Sequence, residues 1–388
     1  MSKSLGNIIP LRAAIRENSA DAIRLAILIS AELLQDADFY FDTVNGIRSK
    51  LQDIYDMGIE YSFKKKEMEE KNGMHSLKSK IKSEIRIGEN TKKEMELEDR
   101  WLISRLQHTI ENITLSMNNL RVREALHNIL YLPDRDLQWY KKRINAKGRE
   151  NSHVVFVTLF AFLNTRIRML APFAPFLSEE LWEKIREADQ SSSHSIIFTD
   201  WPQAVEDKKD PIAEESEHLA MNLVSDLQNI LKVSKVIPKK IIIYTSAQWK
   251  IKIYQKLLQH ILLENRTNFG DIMKEILKDP ETALKAKENP KLIRKMIEDI
   301  LSEPIDIRNR RLNLAANDFN EIFAINDATS LLLDSINIRH KIKNEEGLGK
   351  NTEDQLILYR EDDPEKSDPT SKAKLSRPFK PAIYIMSE

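Results

Sequence analysis

Between Glu94 and Leu132 the apolar side chains Trp101, Leu102, Leu106, Ile110, Ile113, Met117 and Leu120 recur in steps that place them along one face of an α-helix. At Arg121 the phase shifts to a second stripe, Val122, Ala125, Leu126 and Ile129, so the stretch is either two helices or one kinked helix. A stripe this long cannot stay in water; it must be buried against other helices. The same signature recurs at Val44, Ile47, Leu51, Ile54 and Tyr55, and in SHVVFVTLFAFLNTRIRMLAPFAPFLSEELWEKI, where Pro172 and Pro175 break the run. Upstream, Pro10 can open a helix and Ser19 can cap the next, ADAIRLAILIS, whose nearly continuous apolar run marks it as buried. Pro133 separates DRDLQWYKKR as a further short helix. Helices joined by short links, each with one apolar stripe, make an antiparallel bundle.

Past Trp201-Pro202 the pattern changes. QAVEDKKDPIAEES is polar, contains Pro211 and reads as a linker. One more amphipathic helix follows, with Leu219, Leu223, Leu227, Ile230, Leu231 and Ser234 in register. KKIIIYTS is then the best strand candidate, β-branched and bounded by Pro238 and Ser-Ala-Gln. Short helices (QWKIKIYQKLLQHIL, NFGDIMKEILKD, NPKLIRKMIEDILSE and one near DATSLLLDSI) alternate with the expected strands INIRHKIK and AIYIM, while EDDPEKSDPTSKAKLSRPFKP should be irregular. The fold class expected is mainly α, an antiparallel helix bundle followed by a small α+β domain. Nine Gly and fourteen Pro among 388 residues, with 41% apolar residues, agree with a helical chain that buries real cores.

Composition narrows the chemistry. Sixty basic residues balance sixty acidic ones, so no whole-protein field draws the chain to DNA or a membrane, and any nucleic-acid surface must come from local charge separation. There is no Cys, which excludes disulfides and thiolate sites, and no two of the eight His stand at the i, i+4 spacing of a helical metal pair; no metal is expected. Charged residues interrupt the first thirty positions, so no signal or membrane run is read there and a cytoplasmic setting is expected. Gly-rich phosphate loops, a nucleophile elbow and HExxH are all absent, and KKKEMEEKNG reads as a solvated helix end or loop.

Two kinds of feature could carry function. At the opening, MSKSLGN sets Lys3 between Ser2 and Ser4 near a glycine; an ammonium on such a loop can follow a phosphate as negative charge builds, with hydroxyls adding donors. Around the strand candidate, Lys232, Lys235, Lys239, Lys240, Lys250, Lys252 and Lys256 interleave with Tyr244, Trp249 and Tyr254, and IDIRNRRLN supplies Arg308, Arg310 and Arg311. Phosphates and exposed bases favour that mixture, although the aromatics could equally be core with the lysines merely solvated.

The string MSKSLGN resembles the KMSKS loop of class I aminoacyl-tRNA synthetases without its leading Lys, and the continuation NIIPLRAAIRENSADAIRLAILISAELLQDADF is similar to the archaeal and eukaryotic leucyl type. DRWLISRLQHTI, NLRVREALHNILYLPDRDLQWYKKR and LAPFAPFLSEELWEKI resemble that family's helical domain, and KKIIIYTSAQWKIKIYQ and RPFKPAIYI its C-terminal domain.

The resemblance implies a division into 1–35 (end of a catalytic domain, KMSKS loop and stem-contact helices), 36–203 (anticodon-binding-type bundle), 204–218 (linker) and 219–388 (C-terminal tRNA-binding domain). It implies that Lys3 stabilises the α-phosphate and departing pyrophosphate while Met1, Ser2 and Ser4 shape the loop around ATP, with Mg2+ accompanying the nucleotide. Leucine tRNA and a separate N-terminal catalytic portion become the expected partners, because the HIGH signature and nucleotide fold are not in this sequence, and Met1 reads as an internal Met of a longer enzyme. Candidate tRNA contacts are Arg121, Arg123, Lys141, Lys142 and Arg143 in the bundle, and Lys239, Lys240, Lys250, Lys252, Lys374, Arg377 and Lys380 beyond it. Trp139 and Tyr140 favour packing over stacking, and Phe173 and Trp182 are expected in the core. Two other readings compete: an isoleucyl or valyl synthetase, and a free-standing, non-catalytic tRNA-binding module.

Overall fold

The computed structural model of the chain describes residues 9–32, 35–36, 38–72, 93–186, 194–236, 238–263, 268–314, 319–336 and 355–387. The predicted strand INIRHKIK falls almost wholly outside them, as do Met1, Ser2, Lys3 and Ser4. The chain divides into two compact units, Met1–Asp210 and Pro211–Glu388, and the division falls inside the stretch read as a linker.

In the described residues the first unit is all helix: α1 (Leu11–Asn18), α2 (Ala20–Ser30), α3 (Phe41–Asn72), α4 (Leu97–Asn118), α5 (Val122–Leu130), α6 (Leu132–Lys147), α7 (His153–Leu170) and α8 (Pro175–Ile185). The starts follow local chemistry. Pro10 precedes α1, and the Ser19 side chain accepts from the Ala22 N–H at the head of α2. The long stripe resolves into two helices, because Leu120 takes a left-handed φ of 57° and turns the chain between α4 and α5. Its buried part runs from Trp101 to Ile113, whereas Leu120, placed on the stripe by spacing, is exposed at the turn. The charged KKKEMEEKNG run begins inside the last turns of α3.

Helix α4 packs against α5, α6 and α7, while α3 lies against α2 and α8. Helix α7 has the length and apolar composition of a membrane span, yet 67% of it is buried in the bundle, as befits a core helix. Polar side chains fix the packing at defined points. Asp21 reaches from α2 to accept the Leu177 N–H at 2.8 Å in the first turn of α8. Arg166 of α7 donates to the Ile129 and Leu130 carbonyls, at 3.3 and 2.8 Å, at the end of α5, and to Asp134 at 2.7 Å.

Residues 204–210, the first part of the stretch read as a linker, are fastened along α4. Val205 N–H donates to Gln107, Lys209 pairs with Glu111 at 2.7 Å, and Asp210 bonds Arg100 and Ser104, all along α4. From Pro211 the chain is already helical, since Pro is favoured in a first turn.

The second unit is α+β. Helix α9 (Pro211–Ser234) leads into strand β1 (Pro238–Thr245), followed by α10 (Gln248–Leu262), α11 (Phe269–Ile276), α12 (Pro280–Glu288), α13 (Pro290–Ser302), α14 (Ile305–Asn313), α15 (Glu321–Asp327), α16 (Thr329–Ser335), β2 (Leu356–Arg360) and β3 (Ala382–Ser387). β1 is central: β2 runs parallel to it, Tyr244 opposite Tyr359, and β3 antiparallel, Ile242 opposite Tyr384. Being flanked on both sides, β1 is buried along Ile241–Thr245. Helices α10 to α13 enclose a core of Ile253, Leu257, Ile272, Ile293, Met296 and Ile300. Between β2 and β3 runs an irregular strap, 361–381, with one 3-10 turn at Ala373–Leu375, capped by Asp368 accepting the Lys372 and Ala373 N–H groups.

Candidate nucleic-acid interface

A run of cations in sequence separates, once folded, into some that face water and some that hold the core together. In the bundle, Arg121 and Arg123 flank the start of α5 and are exposed. Glu32 accepts the Arg123 and Glu124 N–H groups there at 3.3 and 3.2 Å, fixing the end of the helix from which both side chains project. Arg121 makes a long 3.5 Å contact with Glu124. On α6, Lys142 is exposed and Lys141 half-buried, 4.0 Å from Glu60.

Arg143 is not part of this surface. It is 1% exposed and faces Glu98, itself fully buried, at 3.7 Å. The helix turns about 100° per residue, so the run Lys141-Lys142-Arg143 cannot present all three cations on one face. Glu98 also receives Lys147 at 2.8 Å and Arg149, and Arg149 reaches Asp99 at 2.7 Å, so a closed ionic network ties the head of α4 to the end of α6. Burial opposes the Glu98 charge, but Lys147 and Arg143 beside it hold its carboxyl below the usual range. Tyr140 donates to Asp99 at 2.6 Å; burial and that carboxylate push its phenol upward, so it packs as expected. Phe173 and Trp182 are likewise in the core. A cavity of about 700 Å³ between α3, α6 and α7 carries Lys64 and Lys141 against Glu60, Glu67 and Glu150, an acidic rim rather than an anion site.

In the second unit, Lys232, Lys235 and Lys239 are exposed and Lys240 half-buried at the entry to β1. Lys250 is a correction: it is 1% exposed and donates to the Lys374 and Ser376 carbonyls at 2.9 and 2.7 Å and to Glu361 at 2.7 Å. Burial lowers its proton affinity while Glu361 restores part of it. It pins the strap and cannot reach a ligand. Lys252 is half-exposed and paired with Glu281 at 2.6 Å, and Lys256 with Asp279. Tyr244 and Tyr254 are buried, which decides that pair for the core.

The Arg308–Arg311 cluster is mostly turned inward as well. Arg310 holds Glu214 and Glu215 at 2.9 and 3.1 Å, and Arg311 holds Glu215 at 2.7 Å and the Tyr254 hydroxyl at 3.1 Å. The strap keeps Lys374 exposed, and Arg377 and Lys380 meet on one carboxylate, Asp299, at 2.5 and 3.0 Å. Asp299 escaped the sequence reading because a single acid on an amphipathic helix signals nothing until the fold sets two cations on it. What remains is cations on solvent-facing helix ends in one unit and around β1 and the strap in the other, able to neutralise phosphates but without a nucleophile or an acid-base pair among the described candidates.

Residues 99–243, which run from α4 through α9 into β1, match the family described as the anticodon-binding domain of tRNA ligase. Over 388 residues, 99% of this chain and 34% of the other, the sequence is 31% identical to a leucine-tRNA ligase of Methanococcoides burtonii. It is 29% identical over 385 residues to that of Methanosarcina acetivorans, again 99% of this chain and 34% of the relative. With Pyrococcus abyssi the figures are 30% over 322 residues, 83% and 30%. The chain is therefore a homologue of the C-terminal region of leucine-tRNA ligases and spans about a third (34%) of the length of these curated relatives. A solved LeuRS-tRNA-LeuAMS ternary complex of Agrobacterium radiobacter K84 aligns over 54% of this chain and 23% of its own, at 23% identity and a TM-score of 0.41, too loose a likeness to bear on the argument.

Proposed function

We propose that this chain supplies the KMSKS-type loop and the tRNA-binding parts of a leucine-tRNA ligase, which activates leucine with ATP and transfers it to leucine tRNA in the cytoplasm. The observation that carries the reading is that 99% of the chain aligns with leucine-tRNA ligases. In this reading residues 1–35 end the catalytic portion, 36–203 form the anticodon-binding-type bundle and 219–388 the C-terminal tRNA-binding domain. Arg121, Arg123, Lys141 and Lys142 lie along the tRNA backbone, and Lys239, Lys240, Lys252, Lys374, Arg377 and Lys380 meet it from the second unit. Arg143 and Lys250 are withdrawn from that set by their burial.

Lys3, with Met1, Ser2 and Ser4 around it, neutralises phosphate oxygens as pyrophosphate leaves, while Mg2+ accompanies ATP. The adenylation site itself belongs to a nucleotide-binding portion that must act together with this chain. The test is ATP-pyrophosphate exchange in an enzyme that joins this chain to such a portion. Lys3→Ala is expected to slow exchange about 100-fold, in the range of a lost oxyanion contact. An unchanged rate would refute the role, and isoleucine-dependent exchange would transfer the chain to another class I enzyme.

A further inference from the structure

Near its end the strap of the second unit makes a turn in which a bulky residue takes a left-handed backbone. Arg377, Pro378, Phe379 and Lys380 form a tight turn closed twice, Lys380 N–H to the Arg377 carbonyl at 2.8 Å and Arg377 N–H to the Lys380 carbonyl at 3.0 Å. Pro378 sits at the first corner, where its fixed φ is favourable. The second corner demands a positive φ, normally given to Gly or Asn, and Phe379 holds 62° there. Such a residue persists only where its surroundings over-determine it. Here they do: the Phe379 N–H donates to the buried Glu321 at 2.6 Å. Its ring lies 5.2 Å from Phe319, 5.4 Å from Tyr254 and 4.1 Å from the Arg311 guanidinium.

The consequence of the turn is at its two ends. Arg377 and Lys380 are brought side by side and share Asp299, which is 12% exposed on α13. Asp299 takes the Arg377 Nε–H, and Nη1 makes only a 3.5 Å contact with the Leu375 carbonyl. A guanidinium is planar, so a carboxylate that takes its Nε–H leaves the Nη1–Nη2 edge, the one that grips a phosphate end-on, to other acceptors. Lys380 spends one of its three hydrogens on Asp299 at 3.0 Å and stands 3.9 Å from Glu303. Both cations, with Lys372, line a groove of about 600 Å³ whose other wall is α9, with Asn222, Ser225 and Asp226. Because Asp226 and Glu303 also line it, a small free anion gains little there; a phosphodiester held in place by a longer polyanion gains more.

Building on the tRNA-binding reading above, we propose that this groove is a phosphodiester-binding site for RNA, in which the Arg377–Lys380 turn is the clamp and Asp299 is the positioning residue that aims it. The charge argument makes the claim sharp, since removing an acid next to a phosphate site ordinarily tightens binding. Here Asp299→Asn makes the chain more positive and is expected to weaken it.

The experiment is fluorescence anisotropy of labelled leucine tRNA with the full chain across a KCl series, alongside a thermal melt of each variant. Arg377→Ala with Lys380→Ala is expected to weaken binding about tenfold and to flatten the log-log salt slope by about 1.5, the loss of two phosphate contacts. Asp299→Asn is expected to weaken binding about fivefold, the scale of one charge-assisted contact. Arg377→Lys, which keeps the charge and can still reach Asp299, is expected to lose affinity with the slope unchanged, a result that reads the fork and not the fold. Asp299→Asn binding as tightly as the parent or tighter, or Arg377→Lys binding like the parent, overturns the positioning role. A double variant that binds like the parent, while Lys239→Ala with Lys240→Ala binds weakly, overturns this site alone. A parent chain that does not bind tRNA removes this site together with the tRNA-binding reading it rests on.

Discussion

At the scale of single residues, the fold sorts charges by what faces them. Lys250 and Arg143 look in sequence like their neighbours Lys252 and Lys142, yet each is 1% exposed and set against a carboxylate. Their acids, Glu361 and Glu98, come from distant parts of the chain, so no local window could have separated the structural cations from the solvent-facing ones. Glu321 shows the converse, a buried acid whose two backbone donors, Ser246 N–H at 3.3 Å and Phe379 N–H at 2.6 Å, do not compensate for its loss of water. Burial raises it to about 7, against the pull of Arg311 and with Glu215 adding to the rise. A carboxyl raised on folding keeps a proton that the unfolded chain has already lost, so the contribution of Glu321 to stability is greatest at low pH and falls as pH rises from about 4.5 towards 7. Denaturation at pH 5 and pH 7 should reveal the loss, of the order of 3 kcal/mol at most from this group. Glu321→Gln should flatten the profile over that window; an identical profile in the variant would show that Glu321 does not titrate there.

At the scale of elements, helix existence was legible and helix borders were not. The stripes of α4, α5, α7 and α8 announce themselves because each buries one continuous face. Helices α12 and α14 escaped because PETALKAKE and IDIRNRRLN hold only one buried apolar residue apiece, Ala286 and Ile307. Strand β2, LILYR, escaped because it is five residues long and gains its meaning only from pairing parallel to β1. The close approach of α3 to α8 was equally invisible, resting as it does on one missing side chain. A Cβ at Gly58 would lie 2.5 Å from Cδ2 of Leu181, which is fully buried and has little room to turn. Gly58→Ala gains helix propensity, worth about 1 kcal/mol, but overpacks this contact by about 1–3 kcal/mol, so a net loss is expected. A lowered melting temperature would agree; a raised one would mean that the helices part freely there.

At the scale of the whole chain, a net charge of zero hides a division of labour. Acids such as Glu98 and Glu215 are spent inside on the buried Arg143 and Arg311, while cations such as Arg121, Arg123, Lys142, Lys239 and Lys374 face solvent. Composition could not show this, since it counts buried and exposed charges alike. The alignment with the C-terminal region of leucine-tRNA ligases gives that surface its proposed partner. The most direct measurement is equilibrium binding of the purified chain to leucine tRNA and to isoleucine tRNA across a salt series. The account predicts tighter binding to leucine tRNA, with a steep loss of affinity as salt rises because several phosphates are neutralised. Equal affinity for both tRNAs, or binding indifferent to salt, would contradict it.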